Sequence, residues 1–393
     1  MKVYLDYAAT TPLDKDVLDA MLPYMTEYFA NSHSQHSFAR PCAEAVDKAR
    51  KQVAAAINAA PNEIYFTGSG SEADNWALKG VAAARSHKGK HIIISPLEHA
   101  AIRNTALWLK SQGFEITELK VDNYGVVDLE DLEKSIREDT ILVSVMYANN
   151  EVGTIEPVKE IAEIAHKHGV LVHSDCVQAM GAIPVDVKAL GADMISISAH
   201  KFNGPKGIGA LYVRNGLHIE RLIHGGGQER SMRGGTSNTP AIVGMGYAIE
   251  KAVKIREEHA KHCIALRDHL IERIEKEIPY VRLNGHRTQR LPNNVNFSFE
   301  YIEGESILMG LDLNGIAVSS GSACSSGSLE PSHVLLSIGV PIEIAHGSIR
   351  FTVGNETTMA QIDYTVDTLK TVVARLRAMS PLFNLKSGDV SFV

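Results

Sequence analysis

Seven short apolar segments alternate with helical patterns between residues 64 and 213, and this alternation constrains the fold more than any other feature. The segments are IYFT (64–67), HIIIS (91–95), FEITEL (114–119), ILVSVMY (141–147), VLVHSD (170–175), MISIS (194–198) and GALYV (209–213). An amphipathic helix predicted over 158–168 is one of the helices between them. Such alternation is typical of a mostly parallel sheet with helices on both faces. We therefore predict an α/β fold whose large domain contains a seven-stranded sheet.

Helices and a smaller α/β unit are predicted on either side of this region. The first sixty residues show mostly helical spacing, and a long helical pattern covers 239–277. After it come candidate strands at 280–283, 293–299 and 347–353, and helices at 304–314 and 358–377, the last with a capping box at Thr358 and Gln361. We predict three parts: 1–14, which contributes to the small domain, 15–257, the large domain, and 258–393, the small domain that carries Cys324.

Composition narrows the class of protein. The chain has 393 residues, 45% of them hydrophobic and 22% charged, which is the balance of a soluble globular protein. A net charge of −7 argues against nucleic acid as the main partner, and no apolar run is long enough to span a membrane. The start of the chain lacks the pattern of a signal peptide, and four cysteines are too few for a disulfide scaffold. We expect a cytoplasmic protein with reduced thiols and no membrane contact.

Asp175 and Lys201 follow two of the predicted strands. A carboxylate at a buried strand end needs a partner, which could be an arginine or the protonated ring nitrogen of a pyridine cofactor. Lys201 lies among small residues, where a desolvated amine becomes a usable nucleophile, although most loop lysines are simply exposed. Together the two residues match the needs of a pyridoxal phosphate enzyme, in which Asp holds the pyridinium and Lys forms the Schiff base.

Three other segments could surround the same site. In FTGSGSEADNWALKG (66–80) a glycine-rich turn precedes a helix, an arrangement that binds phosphate but is also common as a plain turn. It matches neither a dinucleotide-binding nor a Walker motif. His99 follows a strand and begins a helix, which alone is a weak signal. The paired asparagines of YANNEVGT (147–154) follow the strongest strand, where they could bind a ligand or make a turn.

Cys324 and Arg350 are candidates in the C-terminal part. Cys324 lies in a run of Ser, Gly and Ala with no apolar stripe, which predicts a solvated loop and a thiol whose reactivity is used. Cys42 and Cys263 lie in predicted helices, and Cys176 lies beside a strand end. Arg350 lies inside an apolar strand, where a guanidinium needs a carboxylate, either from a ligand or from an internal ion pair.

Taken together, these segments resemble the cysteine desulfurases of the nitrogen-fixation and iron–sulfur-cluster type. These are pyridoxal phosphate enzymes of the class-V aminotransferase family with fold type I, and they work as homodimers. The resemblance extends from residue 4 to Arg350. It is carried by YLDYAATTP (4–12), SDCVQAMG (174–181), SAHKFNGPKGIGALYV (198–213), GGGQERSMRGGT (225–236) and SSGSACSSGSLEPSHVL (319–335).

The resemblance implies a role for each matching residue. The implied catalytic residues are Lys201, which forms the Schiff base, His99, which stacks on the ring and helps to move protons, and Cys324, which accepts sulfur. Asp175 would pair with the pyridine nitrogen and Gln178 with the ring hydroxyl. Phosphate would be held by Gly70, Ser71, Ser198 and His200, and by Thr236 from the other subunit. Asn150, which also belongs to the cofactor site, would bind the substrate carboxylate together with Arg350.

The implied reaction is conversion of L-cysteine to L-alanine, with the sulfur retained on Cys324 as a persulfide. The persulfide would pass to an acceptor or cluster-scaffold protein for iron–sulfur cluster assembly or other thiolation. No metal is expected in the resting enzyme, although Cys324 is a candidate transient ligand of an iron–sulfur cluster. Three alternatives remain: a selenocysteine lyase, a pyridoxal phosphate aminotransferase in which Cys324 has no role, and a non-catalytic scaffold for cluster assembly.

Overall fold

The computed structural model describes residues 1–320 and 331–383. The strands, in chain order, are β1 (Val3–Tyr4), β2 (Ile64–Thr67), β3 (His91–Ile94), β4 (Glu115–Glu118), β5 (Thr140–Ser144), β6 (Leu171–Asp175), β7 (Met194–Ser198), β8 (Gly209–Val213), β9 (Val281–Leu283), β10 (Asn294–Phe299), β11 (Ile316–Ala317), β12 (Ser319–Ser320) and β13 (Ser348–Thr352). The α-helices are α1 (Lys15–Met21), α2 (Pro23–Thr26), α3 (Arg40–Ala56), α4 (Gly70–Arg85), α5 (Ala100–Ser111), α6 (Leu129–Ser135), α7 (Val158–Lys167), α8 (Val187–Leu190), α9 (Thr239–Glu277), α10 (Gly304–Asp312), α11 (His333–Ser337), α12 (Ile342–Ala345) and α13 (Met359–Ala378).

The seven predicted strands form one sheet, in the order β2-β8-β7-β6-β5-β3-β4. The five strands from β7 to β4 are parallel, whereas β8 runs antiparallel to both of its neighbours. The inner strands β5, β6 and β7 are buried along their whole length, which explains their continuous apolar sequences. The predicted mostly parallel sheet is confirmed.

Helices cover both faces of this sheet. Helices α1, α3 and α9 pack on one face, with Val53 and Met245 fully buried in the shared core. Helices α4 and α5 cover the other face, and Trp76 and Ile102 lie in that second core. Because β3, β5, β6 and β7 run in the same direction, the residues that follow each of these strands lie at the same edge of the sheet.

A smaller antiparallel sheet follows α9. Its strand order is β12-β13-β10-β9, and α13 packs against it through a buried stripe that includes Ile362, Val366 and Leu369. The predicted capping box is present at the start of α13, where Thr358 and Gln361 cap each other's backbone. At the other end of the chain, β1 pairs in parallel with β11, so the N-terminus lies beside this smaller unit.

Helix α9 runs without interruption through the predicted boundary at 257/258. Its first half packs in the core of the large sheet through Ile242 and Ile249, and its second half packs in the core of the small sheet through Leu266 and Ile274. We propose that the chain divides into 1–14, 15–257 and 258–393 because two separate cores lie on the two halves of one helix.

The N-terminal sixty residues and the segment around Cys324 differ in how they compare with the sequence expectations. The first sixty residues are less helical than predicted, because irregular chain separates β1 from α1 and covers residues 27–36 between α2 and α3. The predicted exposed loop around Cys324 lies outside the described residues. Within 1–320 and 331–383, no helix combines the length and the apolar character needed to cross a bilayer.

Candidate active site

One pocket lies at the carboxyl ends of the parallel strands and has a volume of about 350 Å³, within the range of small-molecule sites. It brings together most of the residues that the sequence singled out. Its lining includes Gly70, Ser71, His99, Asn150, Asp175, Gln178, Ser198, His200, Lys201 and Arg350. Thr236 is not part of this lining, and Cys324 lies outside the described residues.

Asp175 is the last residue of β6 and is buried. Its Oδ1 accepts a hydrogen bond of 2.8 Å from the backbone N–H of Val177. Burial raises the pKa of Asp175, whereas His99, the Val177 amide and Lys201 act in the opposite direction. Asp175 therefore presents a buried carboxyl group whose charge depends on a cationic partner in the pocket.

Lys201 lies in a short 3₁₀ turn directly after β7, the parallel neighbour of β6. Its Nζ donates hydrogen bonds to the carbonyl oxygens of Ala8 and Ala9. Gln178, one turn after Asp175, donates from Nε2 to the same Ala8 carbonyl at 3.0 Å. Residues Tyr4–Asp14, here called the N-terminal segment, thus lie against the site, which the sequence analysis missed.

His99 caps the N-terminus of α5. Its Nδ1 accepts a hydrogen bond of 3.1 Å from the backbone N–H of Ala101. Because Nδ1 is an acceptor, the neutral imidazole carries its proton on Nε2. The ring is therefore fixed in one tautomer at the pocket wall, a geometry suited to stacking on a planar ligand or to donating a proton.

The glycine-rich turn forms the N-terminus of α4. Ser69 caps the helix by accepting from the Glu72 N–H, and the helix begins at Gly70. A Cβ at Gly70 would lie 2.8 Å from Val177 Cγ2 and 3.3 Å from Ser198 Cβ, so only glycine allows this close approach. Backbone N–H groups at the start of a sixteen-residue helix, beside Ser198 and His200, form a cradle for an anion such as phosphate.

The two adjacent asparagines have different environments. Asn149 is fully buried, and its side chain holds the turn by accepting from the N–H groups of Glu151 and Val152 and donating to Leu97 O. Asn150 lines the pocket. The turn interpretation is therefore correct for Asn149, and Asn150 is the one placed to contact a ligand.

Arg350 is buried, with 2% of its surface exposed, in the middle of β13. Its Nη2 donates to Asp6 Oδ1 at 2.9 Å, and its Nη1 donates to the carbonyl of Asn150 at 3.1 Å. Its Nε has no hydrogen-bond partner in the part of the chain that the structure describes. The internal ion pair that the sequence left open is thus present, and the same guanidinium lines the pocket.

Asp74 is a further pocket residue that the sequence analysis missed. It is 1% exposed on α4, and its Oδ1 has no hydrogen-bond partner among the described residues. The Ser196 hydroxyl hydrogen-bonds its carboxyl group and lies 2.9 Å from His173 Nε2, and burial and Asp175 raise the pKa of Asp74. Burial lowers the pKa of His173 to about 3, so the imidazole is neutral. Asp74 lies within the glycine-rich segment 66–80, but no local sequence signal separates it from a solvated aspartate.

The second glycine-rich segment, residues 225–236, is anchored to the large sheet unit by ion pairs. Arg50 binds the buried Glu229 carboxylate through two hydrogen bonds, and Arg233 binds Glu72 in the same manner. Glu229, Arg230 and Ser231 all have positive φ angles, a strained backbone that these contacts hold in place. Thr236, at the end of the segment, is exposed.

Comparisons with known proteins agree with this geometry. The aminotransferase class-V family matches residues 3–365. A cysteine desulfurase IscS from Dictyoglomus turgidum is 55% identical over 97% of this chain and 96% of its own length. A second one, from Methanosarcina thermophila, is 54% identical over 97% of this chain and 94% of its own length.

Solved structures share the fold over nearly the whole chain. A structure described as a NifS-like protein matches with a TM-score of 0.90 and 40% identity over 96% of this chain and 100% of its own. A structure described as SspA in complex with cysteine matches with a TM-score of 0.80 and 35% identity over 91% of this chain and 100% of its own. The resemblance and the fold class inferred from the sequence are confirmed, and the chain belongs to the class-V aminotransferase family.

Proposed function

We propose that this protein is a cysteine desulfurase that uses pyridoxal 5′-phosphate. The observation that carries the proposal is that one pocket collects Lys201, Asp175 and His99 with a helix-end anion cradle and a buried arginine. A cofactor with a phosphate, a basic ring nitrogen and a carbonyl needs these groups together. Relatives named cysteine desulfurase IscS, similar over almost the entire chain, indicate the substrate.

The pocket residues match the chemical groups of this cofactor. The N-terminus of α4 with Ser198 and His200 would hold the phosphate, and Gly70 lets the start of the helix pack closely against Val177 and Ser198. Asp175 would hold the ring nitrogen, Gln178 the ring hydroxyl and Lys201 the carbonyl carbon. When bound, the cofactor supplies a ring that stores the electrons released at the substrate's α-carbon.

Each remaining step is assigned to a residue of this chain. Arg350 and Asn150 would bind the carboxylate of L-cysteine, which orients its α-carbon toward Lys201. The Lys201 amine, released when the substrate amine replaces it, would remove the α-proton. His99 would stack on the ring, and the proton on its Nε2 suits it to proton transfer.

The thiolate of Cys324 would attack the substrate sulfur. A sulfur–sulfur bond forms and the substrate's carbon–sulfur bond breaks, with its electron pair remaining on carbon. Protonation of that carbon gives L-alanine, so the balance is cysteine plus enzyme thiol giving alanine plus enzyme persulfide. An acceptor or cluster-scaffold protein then takes the sulfur, in the cytoplasm, where thiols stay reduced.

Product analysis tests this proposal against its alternatives. The purified protein should be yellow, and borohydride should fix the cofactor to Lys201. With L-cysteine and a thiol reductant it should release one sulfide for each alanine formed. A scaffold would bind no cofactor, and an aminotransferase would convert amino acids without releasing sulfide. Activity on selenocysteine but not on cysteine would favour the selenocysteine lyase.

Arg350→Ala should weaken cysteine binding. The variant removes the charged donor for the substrate carboxylate, and losing a hydrogen bond to a charged group costs about 1.5–3 kcal/mol, roughly a 10–150-fold rise in KM. Steady-state kinetics measures the effect, with urea unfolding as a parallel readout. If KM is unchanged and only stability falls, then Arg350 serves the Asp6 ion pair alone.

We also propose that two copies of the chain form the active enzyme, with Thr236 of each completing the phosphate cradle of the other. The exposure of Thr236 on an anchored segment supports this, as do the apolar side chains of Met25, Phe29 and Phe38, which are 57%, 77% and 75% exposed. Large exposed apolar residues so close together in sequence are typical of an interface.

The dimer has a measurable consequence. Sedimentation at graded concentrations should show a dimer, and Thr236→Val should weaken cofactor binding because one donor to the phosphate is lost. The reduction expected from one charge-assisted hydrogen bond is about tenfold or more. Ser237→Ala, at the adjacent position, is the matched control. A fully active monomer would exclude the shared site.

A further inference from the structure

The buried guanidinium of Arg350 already has a carboxylate partner within the chain. Asp6 Oδ1 accepts from Nη2 at 2.9 Å, and the carbonyl of Asn150 accepts from Nη1. Nε is buried and has no hydrogen-bond partner within residues 1–320 and 331–383. A carboxylate that binds an arginine through two parallel hydrogen bonds needs two adjacent N–H groups. Both terminal nitrogens of Arg350 already donate within the chain, so a ligand carboxylate that binds this guanidinium would have to share Nη2 with Asp6.

The charge balance leads to the same competition. Arg350 is 2% exposed and Asp6 is 21% exposed, so one positive and one negative charge neutralise each other at the pocket wall. A second carboxylate beside the same guanidinium adds a like charge in a region of low dielectric, which is unfavourable. Binding of a ligand carboxylate therefore requires Asp6 to give up its hydrogen bond or to tolerate a close negative charge.

We propose that Asp6 is a built-in competitor for the substrate carboxylate, and that it sets how tightly amino acids bind at Arg350. This inference rests on the proposed function, because it assumes that an amino acid substrate binds there. Asp6 is a specificity-determining residue in this account: it keeps the buried guanidinium neutralised until a ligand carboxylate displaces it.

Asp6 is placed to release its hydrogen bond to Arg350 when a ligand carboxylate binds. Its carboxylate is partly exposed, so water can solvate it after displacement, whereas the guanidinium is shielded and needs a partner. Asp6 also lies in the N-terminal segment, whose Ala8 and Ala9 carbonyls accept hydrogen bonds from Lys201 and Gln178. The same short segment thus contacts the arginine, the lysine and the glutamine of the pocket.

Binding measurements on the yellow holoenzyme test the competition. Calorimetric titration with L-alanine and with ethylamine, which is alanine without its carboxylate, gives a Kd for each ligand. Asp6→Asn should tighten L-alanine binding by about tenfold or more, because one charge-assisted hydrogen bond becomes available to the ligand. Ethylamine binding should change by less than about twofold. Asp19→Asn, which removes an exposed carboxylate outside the pocket lining, is the matched control and should bind L-alanine as the parent protein does.

The opposite results would overturn the inference. If the role of Asp6 is merely structural, Asp6→Asn should weaken the binding of L-alanine and of ethylamine to the same extent. An unchanged Kd for L-alanine would exclude competition. If the variant does not fold, a crystal structure of the parent holoenzyme with bound L-alanine tests the proposal. An Asp6 carboxylate that is still 2.9 Å from Arg350 Nη2 would contradict displacement, and a broken contact would support it. Failure of the parent protein to bind either ligand would instead contradict the proposed function.

Discussion

Replacing Lys201 by alanine is expected to abolish cysteine turnover and the yellow colour of the bound cofactor. Lys201 directly follows β7, and Asp175 ends the parallel neighbour β6, so the two strands place an amine and a carboxylate in one pocket. Of the described residues that line this pocket, Lys201 is the only lysine. Loss of a general base alone lowers rates by roughly 10²–10⁴-fold, and loss of the covalent attachment adds to this.

The decisive measurement is chemical trapping. Borohydride treatment of the parent protein, followed by peptide mass analysis, should find the reduced cofactor on the peptide that contains Lys201. Lys206→Ala is the control, because Lys206 lies in the same glycine-rich stretch but is exposed and outside the pocket lining. Normal cysteine turnover in Lys201→Ala, or trapping of the cofactor on another lysine, would refute the assignment.

The large sheet could be predicted from the sequence because its signal is local. Parallel strands buried on both faces are continuous apolar runs, and each of the seven runs became a strand of the sheet. The ends were less certain. The run 141–147 continues for three residues beyond β5, which ends at Ser144, and the N–H groups of Val145 and Tyr147 still donate to carbonyls of β6. Apolar composition continues past Ser144, so it does not indicate where the strand ends.

The ion pair of Arg350 could not be predicted, because its partner lies 344 positions away in the sequence. The sequence indicated that a buried arginine needs a carboxylate, but not whether a ligand or the protein supplies it. The N-terminal segment reaches β13 directly, through a parallel bridge between Asp6 and Thr352 and a hydrogen bond from the Thr352 N–H to the Leu5 carbonyl. The YLDYAATTP motif contains Asp6, so the resemblance marked the segment without indicating its contact.

The position of Asp74 in the pocket could not be predicted from the sequence either. Helix α4 is buried on most of its surface, so its polar residues do not define an exposed face. Nothing local distinguishes Asp74 from a solvated aspartate. Its position beneath the pocket follows from packing of α4 on the polar row of Ser196 and His173, which belong to neighbouring strands. Such a row is visible only once the sheet register is known.

The described cysteines are poor candidates for the sulfur acceptor. Cys42, Cys176 and Cys263 are all buried. Burial, and secondarily the charge of Asp175, raises the pKa of Cys176 far above that of a free thiol. Burial raises the pKa of Cys263 to about 12. Because the thiolate is the nucleophile, neither of these two groups is reactive at neutral pH. We therefore propose Cys324, which lies outside the described residues, as the acceptor.

Cys324→Ser should separate the two halves of the proposed reaction. The variant should bind the cofactor and L-cysteine as the parent protein does, because Lys201, Asp175 and Arg350 are unchanged. It should release sulfur only at the background rate, since a serine hydroxyl cannot carry a persulfide. Mass spectrometry after incubation with cysteine should find an added sulfur atom on the parent protein and none on the variant.

Cys176→Ala is the matched control for this experiment. Cys176 directly follows Asp175 and is the described thiol whose position is closest in sequence to a pocket residue, so it is the main competitor for the role of acceptor. Its removal should leave sulfur delivery within about twofold, because its thiol is buried and protonated. Retained delivery in Cys324→Ser, together with lost delivery in Cys176→Ala, would move the nucleophile to Cys176.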